Sequence, residues 1–227
     1  MQWVIREAPE GWQDLVPEGM PDILGRLLAQ RGVHHDEVER FLRPRLAELT
    51  DPFEIPEINL AVERILHAVD KRERVCVYGD YDVDGVSSIA VLCKTLEAYG
   101  LKPTSFIPRR SSEGYGLSEG GLERCLNECG KPDLMISVDC GTVSNEAIAM
   151  LKSKGIDTVV VDHHEIGPDG RPDCVALVNP KASGHTHDYL CAAGVVFKLA
   201  HALLKRRSLE TFDLKSVLDL VAVATIS

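Results

Sequence analysis

Residues Val75–Ser88 read "VCVYGDYDVDGVSS": a short apolar run, three aspartates at alternate positions (80, 82 and 84), and a glycine that opens an apolar-periodic stretch. The run Val75–Gly79 predicts a buried strand, and "GVSSIAVLCKTLEAYG" (85–100) carries its apolar residues at helical spacing. The same alternation spreads outward. Before it, "NLAVERILHAVDKRE" (59–73) predicts a helix. After it come strand candidates at 104–108, 133–139, 157–162 and 174–179, separated by helices near 118–129 and 143–154 and followed by two closing helices, "LCAAGVVFKLAHALLKR" and "LKSVLDLVAVATIS". Val/Ile/Leu-rich runs interrupted by helices predict an α/β fold with a predominantly parallel sheet and helices on both faces. Such a sheet binds its ligands outside the carboxyl ends of its strands.

The first part of the chain reads differently. It is Pro- and Glu-rich, with short helical pieces in "VPEGMPDILGRLLAQRG" and "HHDEVERFLRP" and a proline-punctuated connector, "LTDPFEIPEI". We expect residues 1–59 to form a small helical accessory segment and residues 60–227 the α/β domain.

The chain has 227 residues, 44% of them hydrophobic and 26% charged, enough for a substantial core. It contains no apolar run of membrane-spanning length, and its start lacks the order of a signal peptide, so the expected setting is cytoplasmic, without a membrane partner. Seven scattered cysteines (76, 93, 125, 129, 140, 174 and 191) read as reduced thiols, and Cys125 with Cys129 lacks the second pair that a zinc site requires. A net charge of −10 works against binding polyanions by bulk attraction, so a phosphate-bearing ligand has to be met locally.

The aspartates recur where the strands end. Asp80, Asp82 and Asp84 follow the first strand, Asp139 ends another in "SVDCG", and Asp162 ends a third in "VVVDHH", beside His163 and His164. Three strand ends thus deliver five carboxylates and two imidazoles to one edge of the sheet, a charge that two divalent cations would offset. Carboxylate with imidazole suits Mn²⁺, and Mg²⁺ fits where oxygen ligands dominate. A calcium loop of EF-hand type also opens D-x-D-x-D-G, but its twelfth position requires Glu where this chain has Val91, and a strand precedes the loop. A solvated acidic turn, with Gly85 supplying backbone freedom, would account for the first motif alone. "SVDCGT" also fits a turn capped by Thr142 or Ser144.

Two further segments carry phosphate-binding chemistry. "IPRRSSEGYGLSEGG" gathers Arg109, Arg110, Ser111, Ser112 and several glycines after a strand, where guanidinium and close backbone approach suit phosphate. The small-residue run "LCAAGVVFKL" fits tight helix packing, and also a helix N-terminus at Gly194 presented to phosphate.

Together "GDYDVDG", "VDCG" and "VDHH" resemble the DHH phosphoesterase superfamily. The longer stretch from "VERFLRPRLAELTDPFEIPEI" through motif I, with "IPRRSSEGYGL", is similar to that superfamily's single-strand-specific 5′→3′ DNA exonucleases. The resemblance implies a two-metal hydrolase of single-stranded DNA, using Mn²⁺ or Mg²⁺, in DNA repair and recombination. A single-stranded-DNA-binding protein and a helicase are the implied partners. By this resemblance Asp84, Asp139 and His163 are metal ligands, with Asp139 bridging. Asp80 and Asp82 serve the other ion, Asp162 belongs to the metal set and supports the histidines, and His164 meets the substrate phosphate. Arg110 becomes a substrate contact and Tyr115 a base-stacking platform.

The sequence departs from the pattern at Tyr78, where many members carry histidine, and at "VAVATIS", where relatives continue with a ligating aspartate. Asp219 does not occupy that position. On this basis we expect an N-terminal portion of a longer enzyme, with little activity of its own. The alternatives are a DHH-type phosphoesterase of short oligonucleotides, cyclic dinucleotides or pyrophosphate, and a catalytically idle nucleic-acid-binding module.

Overall fold

The computed structural model describes residues 4, 6–109, 113, 114, 116–183 and 187–227, which divide into two compact units, Met1–Asp51 and Pro52–Ser227. The first unit holds helices α1 (Asp22–Gln30) and α2 (Val38–Leu42) around a small core of Leu28, Val33 and Val38. The division falls inside the proline-punctuated connector and not after residue 59. Ile55 and Ile58 are fully buried in the core of the second unit, which draws residues 52–59 into it.

In the second unit, α3 (Ile58–Lys71) leads into β1 (Val75–Gly79), followed by α4 (Val83–Ala98), β2 (Thr104–Phe106), α5 (Glu119–Cys129), β3 (Leu134–Val138), α6 (Asn145–Ser153), β4 (Asp157–Val161), β5 (Ala176–Val178), α7 (Ala192–Arg206) and α8 (Leu218–Ile226). The five strands form one sheet in the order β2-β1-β3-β4-β5, with every pairing parallel. β2 is shorter than expected because Pro108 has no N–H to extend a ladder. The chain winds outward from β1 in both directions, which makes the boundary between β1 and β3 the switch point where such sheets open a crevice.

The period of two along each strand sorts side chains between two cores. Val75 and Val77 of β1, Ile136 of β3 and Val159 of β4 face one cluster, which α3, α4 and α7 close. Cys76 and Tyr78, Met135 and Val160 face the other, closed by α5 and α6. Each fully buried Leu, Ile or Val contributes roughly 1.5–3 kcal/mol, so the helices on the two faces hold the strand register. That register matters because it sets Asp80, Asp139 and Asp162, each the first residue past its strand, side by side.

The two ends of the sheet are handled differently. At the amino end, Arg64 donates to Glu73 and Asp157, both at 2.7 Å, and Asp133 accepts the Arg74 N–H. Along the β5 edge, Glu57 accepts the Leu177 N–H at 2.8 Å and is gripped by the Arg171 guanidinium. All seven cysteines are free thiols; Cys76 and Cys125 are 3.6 Å apart in the second core. No helix among the described residues is long and apolar enough to cross a membrane.

Gly85 is not a hinge. A Cβ built there would sit 2.4 Å from the Asp80 carbonyl oxygen, so glycine lets the first turn of α4 lie directly on the backbone that leaves β1. Gly85→Ala should therefore cost roughly 1–3 kcal/mol in urea unfolding, the scale of overpacking. At Gly120 in α5 a Cβ meets nothing within 4 Å, so Gly120→Ala should be neutral or stabilising. Equal midpoints for the two variants would contradict the close approach at Gly85.

Candidate metal centre

The first residue past each of β1, β3 and β4 is buried: Asp80 is 0% exposed, Asp139 2% and Asp162 1%. Burying carboxylates without cationic partners is costly. Among the described residues no Lys or Arg pairs with Asp80, Asp82, Asp84, Asp139 or Asp162; only the two histidines stand against them. Each aspartate meets this constraint in its own way.

Asp82 caps α4, its Oδ1 accepting the Gly85 N–H at 2.9 Å, so the helix begins at Val83 and not at Gly85 as the apolar pattern suggests. Asp84, in the first turn, reaches across to the start of α7. Its two oxygens accept the N–H groups of Ala192 and Ala193, both at 2.8 Å. A helix N-terminus carries partial positive charge, so this contact stabilises the carboxylate and locks α7 to α4. At the helix start where Gly194 was expected to meet phosphate, the N–H groups of Ala192 and Ala193 hold Asp84. Gly194 itself packs against Leu190, 3.2 Å from the position of an added Cβ.

Asp162 accepts hydrogen bonds at both oxygens. Its Oδ1 accepts the His163 N–H and His164 Nδ1, each at 2.7 Å, and its Oδ2 accepts the Thr142 N–H at 3.0 Å. Burial alone would raise its pKa, but the bonds from His164 and Thr142 outweigh it and hold the group down to about 2. Asp162 was expected in the metal set. Its Oδ1 fixes the ring of His164, whose own pKa is raised by the same bond.

Asp80 is left with an unsatisfied oxygen, and among the described residues Asp139 is paired only with His163. Asp80 Oδ1 accepts the Tyr81 N–H at 2.7 Å, while Oδ2 is buried with no hydrogen-bond partner. Asp139 has φ +59°, in the left-handed region, which aspartate tolerates better than branched residues. Its Oδ1 lies 3.3 Å from His163 Nε2. Burial, with the charges of Asp84 and Asp82, raises its pKa to about 7 despite His163, whose own pKa rises through that contact.

These donors fall into two groups whose ligand atoms lie within 4.8 Å of one another: Asp80, Asp82 and Asp139, and Asp139, His163 and His164. Asp162 lies in neither group. Asp139 is common to both groups, and His164 joins Asp139 and His163 in the second. Asp84 falls outside both, although it lies 3.6 Å from His163 Nε2.

Tyr78 is turned away from this edge. It is fully buried against Phe106, with ring centroids 5.3 Å apart, and its hydroxyl donates to the Gly116 carbonyl. Burial pushes its pKa up, and it plays no part in the acidic cluster.

Two residues escaped the sequence reading. Asn179, fully buried just past β5, donates through Nδ2 to Thr142 Oγ1 at 2.9 Å and to the His164 carbonyl at 2.8 Å. It thereby ties the loops after β3, β4 and β5 together. Glu113 joins the Arg109 N–H to the Arg124 guanidinium, anchoring the arginine loop to α5. "NP" and "EG" look like ordinary turn signals, and only the fold brings these side chains to their partners. Arg110, Ser111, Ser112 and Tyr115 lie outside the described residues.

The raised pKa of Asp139 has a defined sign. Between pH 3.8 and about 7 the folded state holds a proton that the unfolded state has released, so this group's effect on metal-free stability worsens as pH rises through that window. Asn has no such proton. Metal-free Asp139→Asn should therefore gain melting temperature over wild type progressively from about pH 4 to about pH 8, measured with chelator present. A difference that does not change with pH would show that the Asp139 charge is not penalised.

Residues 74–225 match the DHH family, N-terminal domain. The chain is 37% identical over 232 residues to the single-stranded-DNA-specific exonuclease RecJ of Bacillus subtilis (strain 168), a match covering 100% of this chain and 28% of that protein. It is 30% identical over 226 residues to the protein of the same name from Escherichia coli (strain K12), covering 93% of this chain and 38% of the relative. Among solved structures it superposes on RecJ in complex with Mn²⁺ from Thermus thermophilus with a TM-score of 0.74 at 27% identity, covering 97% of this chain and 31% of the other. A manganese-bound exonuclease RecJ gives 0.67 at 32% identity, over 76% and 43%. The chain spans between 28% and 40% of the length of the first curated relatives it matches.

Proposed function

The chain belongs to the DHH family, and on that premise we propose that it carries the two-metal centre of a phosphodiesterase that degrades single-stranded DNA from the 5′ end, with Mn²⁺ or Mg²⁺ as cofactor. The observation that carries this reading is the pairing of a shared carboxylate, Asp139, with a buried and unpartnered oxygen on Asp80. A buried carboxylate oxygen without a donor is costly unless a cation completes it. The donor set, carboxylates on one side and carboxylate with imidazole on the other, suits Mn²⁺ on the His163 side and either ion on the Asp80 side. The manganese-bound relatives support the same assignment.

When bound, paired divalent ions supply charge stabilisation for a phosphodiester and a water of lowered pKa. The chain's own residues prepare the place. Asp139 gives up a proton held to about pH 7 when it becomes a ligand, so cation affinity falls on acidification below that point. Asp162 orients the His164 ring, as carboxylates commonly do behind metal-site histidines. His164 is the residue we assign to the substrate phosphate. Asp84 holds the start of α7 against α4 and keeps the acidic edge closed on that side. In this reading Arg110 and Tyr115 contact the strand, and the protein acts in repair and recombination in the cytoplasm, beside a single-strand-binding protein and a helicase. The match to single-stranded-DNA exonucleases runs over the whole chain and favours long strands over dinucleotides as substrate.

Calorimetric titration with Mn²⁺ tests the centre. Wild type should show two classes of site, Asp80→Asn should lose one, and Asp139→Asn should weaken both, because only Asp139 is shared. Unchanged affinity in both variants would sink the metal assignment. End-labelled single strands incubated with Mn²⁺ test the substrate: mononucleotides released from the 5′ end, however slowly, and lost in Asp139→Asn support the proposal, and cleavage confined to dinucleotides overturns it.

A further inference from the structure

The acidic edge needs a cation that can receive an anionic strand, and the described residues contain one that the sequence reading passed over. Lys181 lies in the short 3-10 turn Pro180–Ser183, directly past β5, on the same edge as Asp80, Asp139 and Asp162. Its position is fixed from below. The Lys181 N–H donates to Asn179 Oδ1 at 2.9 Å, and the amide of Asn179 holds the His164 carbonyl and Thr142. Lys181 is thus mounted on the hub that positions the metal-edge histidines.

Its ammonium lies 3.3 Å from Oε1 of Glu165, the residue that follows His164. The Glu165 side chain is 82% exposed and that of Lys181 28%. An ion pair with so exposed a carboxylate contributes little and is readily exchanged. A carboxylate offers a lysine the same chemistry as a phosphate: oxygen acceptors bearing negative charge. The charge of Lys181 also acts on the neighbouring imidazole, opposing the rise in the pKa of His164.

We propose that Lys181 is a substrate-phosphate contact beside the metal centre, and that Glu165 occupies it as an internal stand-in for phosphate until the strand arrives. This rests on the reading of the protein as a single-stranded-DNA phosphodiesterase. It assigns that substrate a phosphate subsite on the β5 side of His164, across the edge from the arginine loop. In a chain of net charge −10 the arrangement is physically useful, because the exposed carboxylate masks the lysine from weakly bound anions while a polyphosphate strand competes through several contacts at once.

The test is fluorescence anisotropy with a phosphorothioate-linked oligothymidylate, so that the strand persists, in Mn²⁺. Lys181→Ala should weaken binding roughly tenfold and reduce the steepness of the salt dependence by about one phosphate's worth, while Lys181→Arg retains affinity and Mn²⁺ titration is unchanged in both. Glu165→Gln should tighten binding severalfold, and this gain should vanish in the Lys181→Ala background. Strands with a 5′ phosphate and a 5′ hydroxyl identify the group bound: loss confined to the first assigns a terminal phosphate, equal loss an internal diester. If wild type binds the strand and Lys181→Ala binds it equally well, the inference is overturned. If wild type takes up Mn²⁺ but binds no strand, the functional reading falls and the inference with it.

Discussion

Like charges at one end of a parallel sheet repel, and the rest of this structure is organised around that repulsion. The pairing of β1 with β3 and β3 with β4 in parallel register leaves Asp80, Asp139 and Asp162 no choice but to emerge together. At an effective dielectric near 20, two unit charges about 4 Å apart interact by about 4 kcal/mol, which is comparable to a large part of a domain's net stability. The fold offsets this with dipoles and hydrogen bonds. The N-termini of α4 and α7 take Asp82 and Asp84, backbone amides and an imidazole take Asp162, and Asp139 stays protonated up to about pH 7. Asp80 is left half-satisfied, which marks where the compensation is incomplete.

The amino end of the sheet shows that the chain can neutralise carboxylates with its own cations when nothing else is to be bound. Arg64 engages both Glu73 and Asp157 there, with His67 also near Glu73. The contrast between an edge that is neutralised internally and an edge that is not gives the acidic cluster its functional meaning. A structural role would be served by either arrangement, whereas a site for cations requires the second.

Much of this was legible in the sequence, because the signals were periodic. β1 falls on Val75–Gly79 as the apolar run predicts, and the aspartates follow strands whose buried runs are easy to recognise. What escaped was pairwise and long-range. Asp84 finds its partners 108 and 109 residues away, at the start of α7. Asp162 was expected to support the histidines, and the structure adds the partner the motif does not show, the Thr142 N–H 20 residues earlier. Asn179 sits before a proline and reads as a turn, and its burial comes from the loops that fold over it. Tyr78 stands where relatives were expected to place a ligand, yet strand alternation turns it to the opposite core, where Phe106 stacks on it. Gly85 signals backbone freedom only in the rival reading as a solvated turn, while the structure uses it for close approach to the Asp80 backbone.

Glu57 has a consequence for how the molecule meets its own copies. The open side of β5 is the outer rim of the sheet, where an unpaired amide invites another chain to add a strand. Here the Leu177 amide is already taken by the Glu57 carboxylate, which Arg171 holds from the far side. An incoming strand would have to displace a side chain secured at both ends before gaining its first ladder bond. At the opposite rim β2 is only three residues long and offers little to pair with. The Glu57 carboxylate thus guards the β5 rim against sheet extension, a safeguard against fibrous aggregation that the shortness of β2 complements.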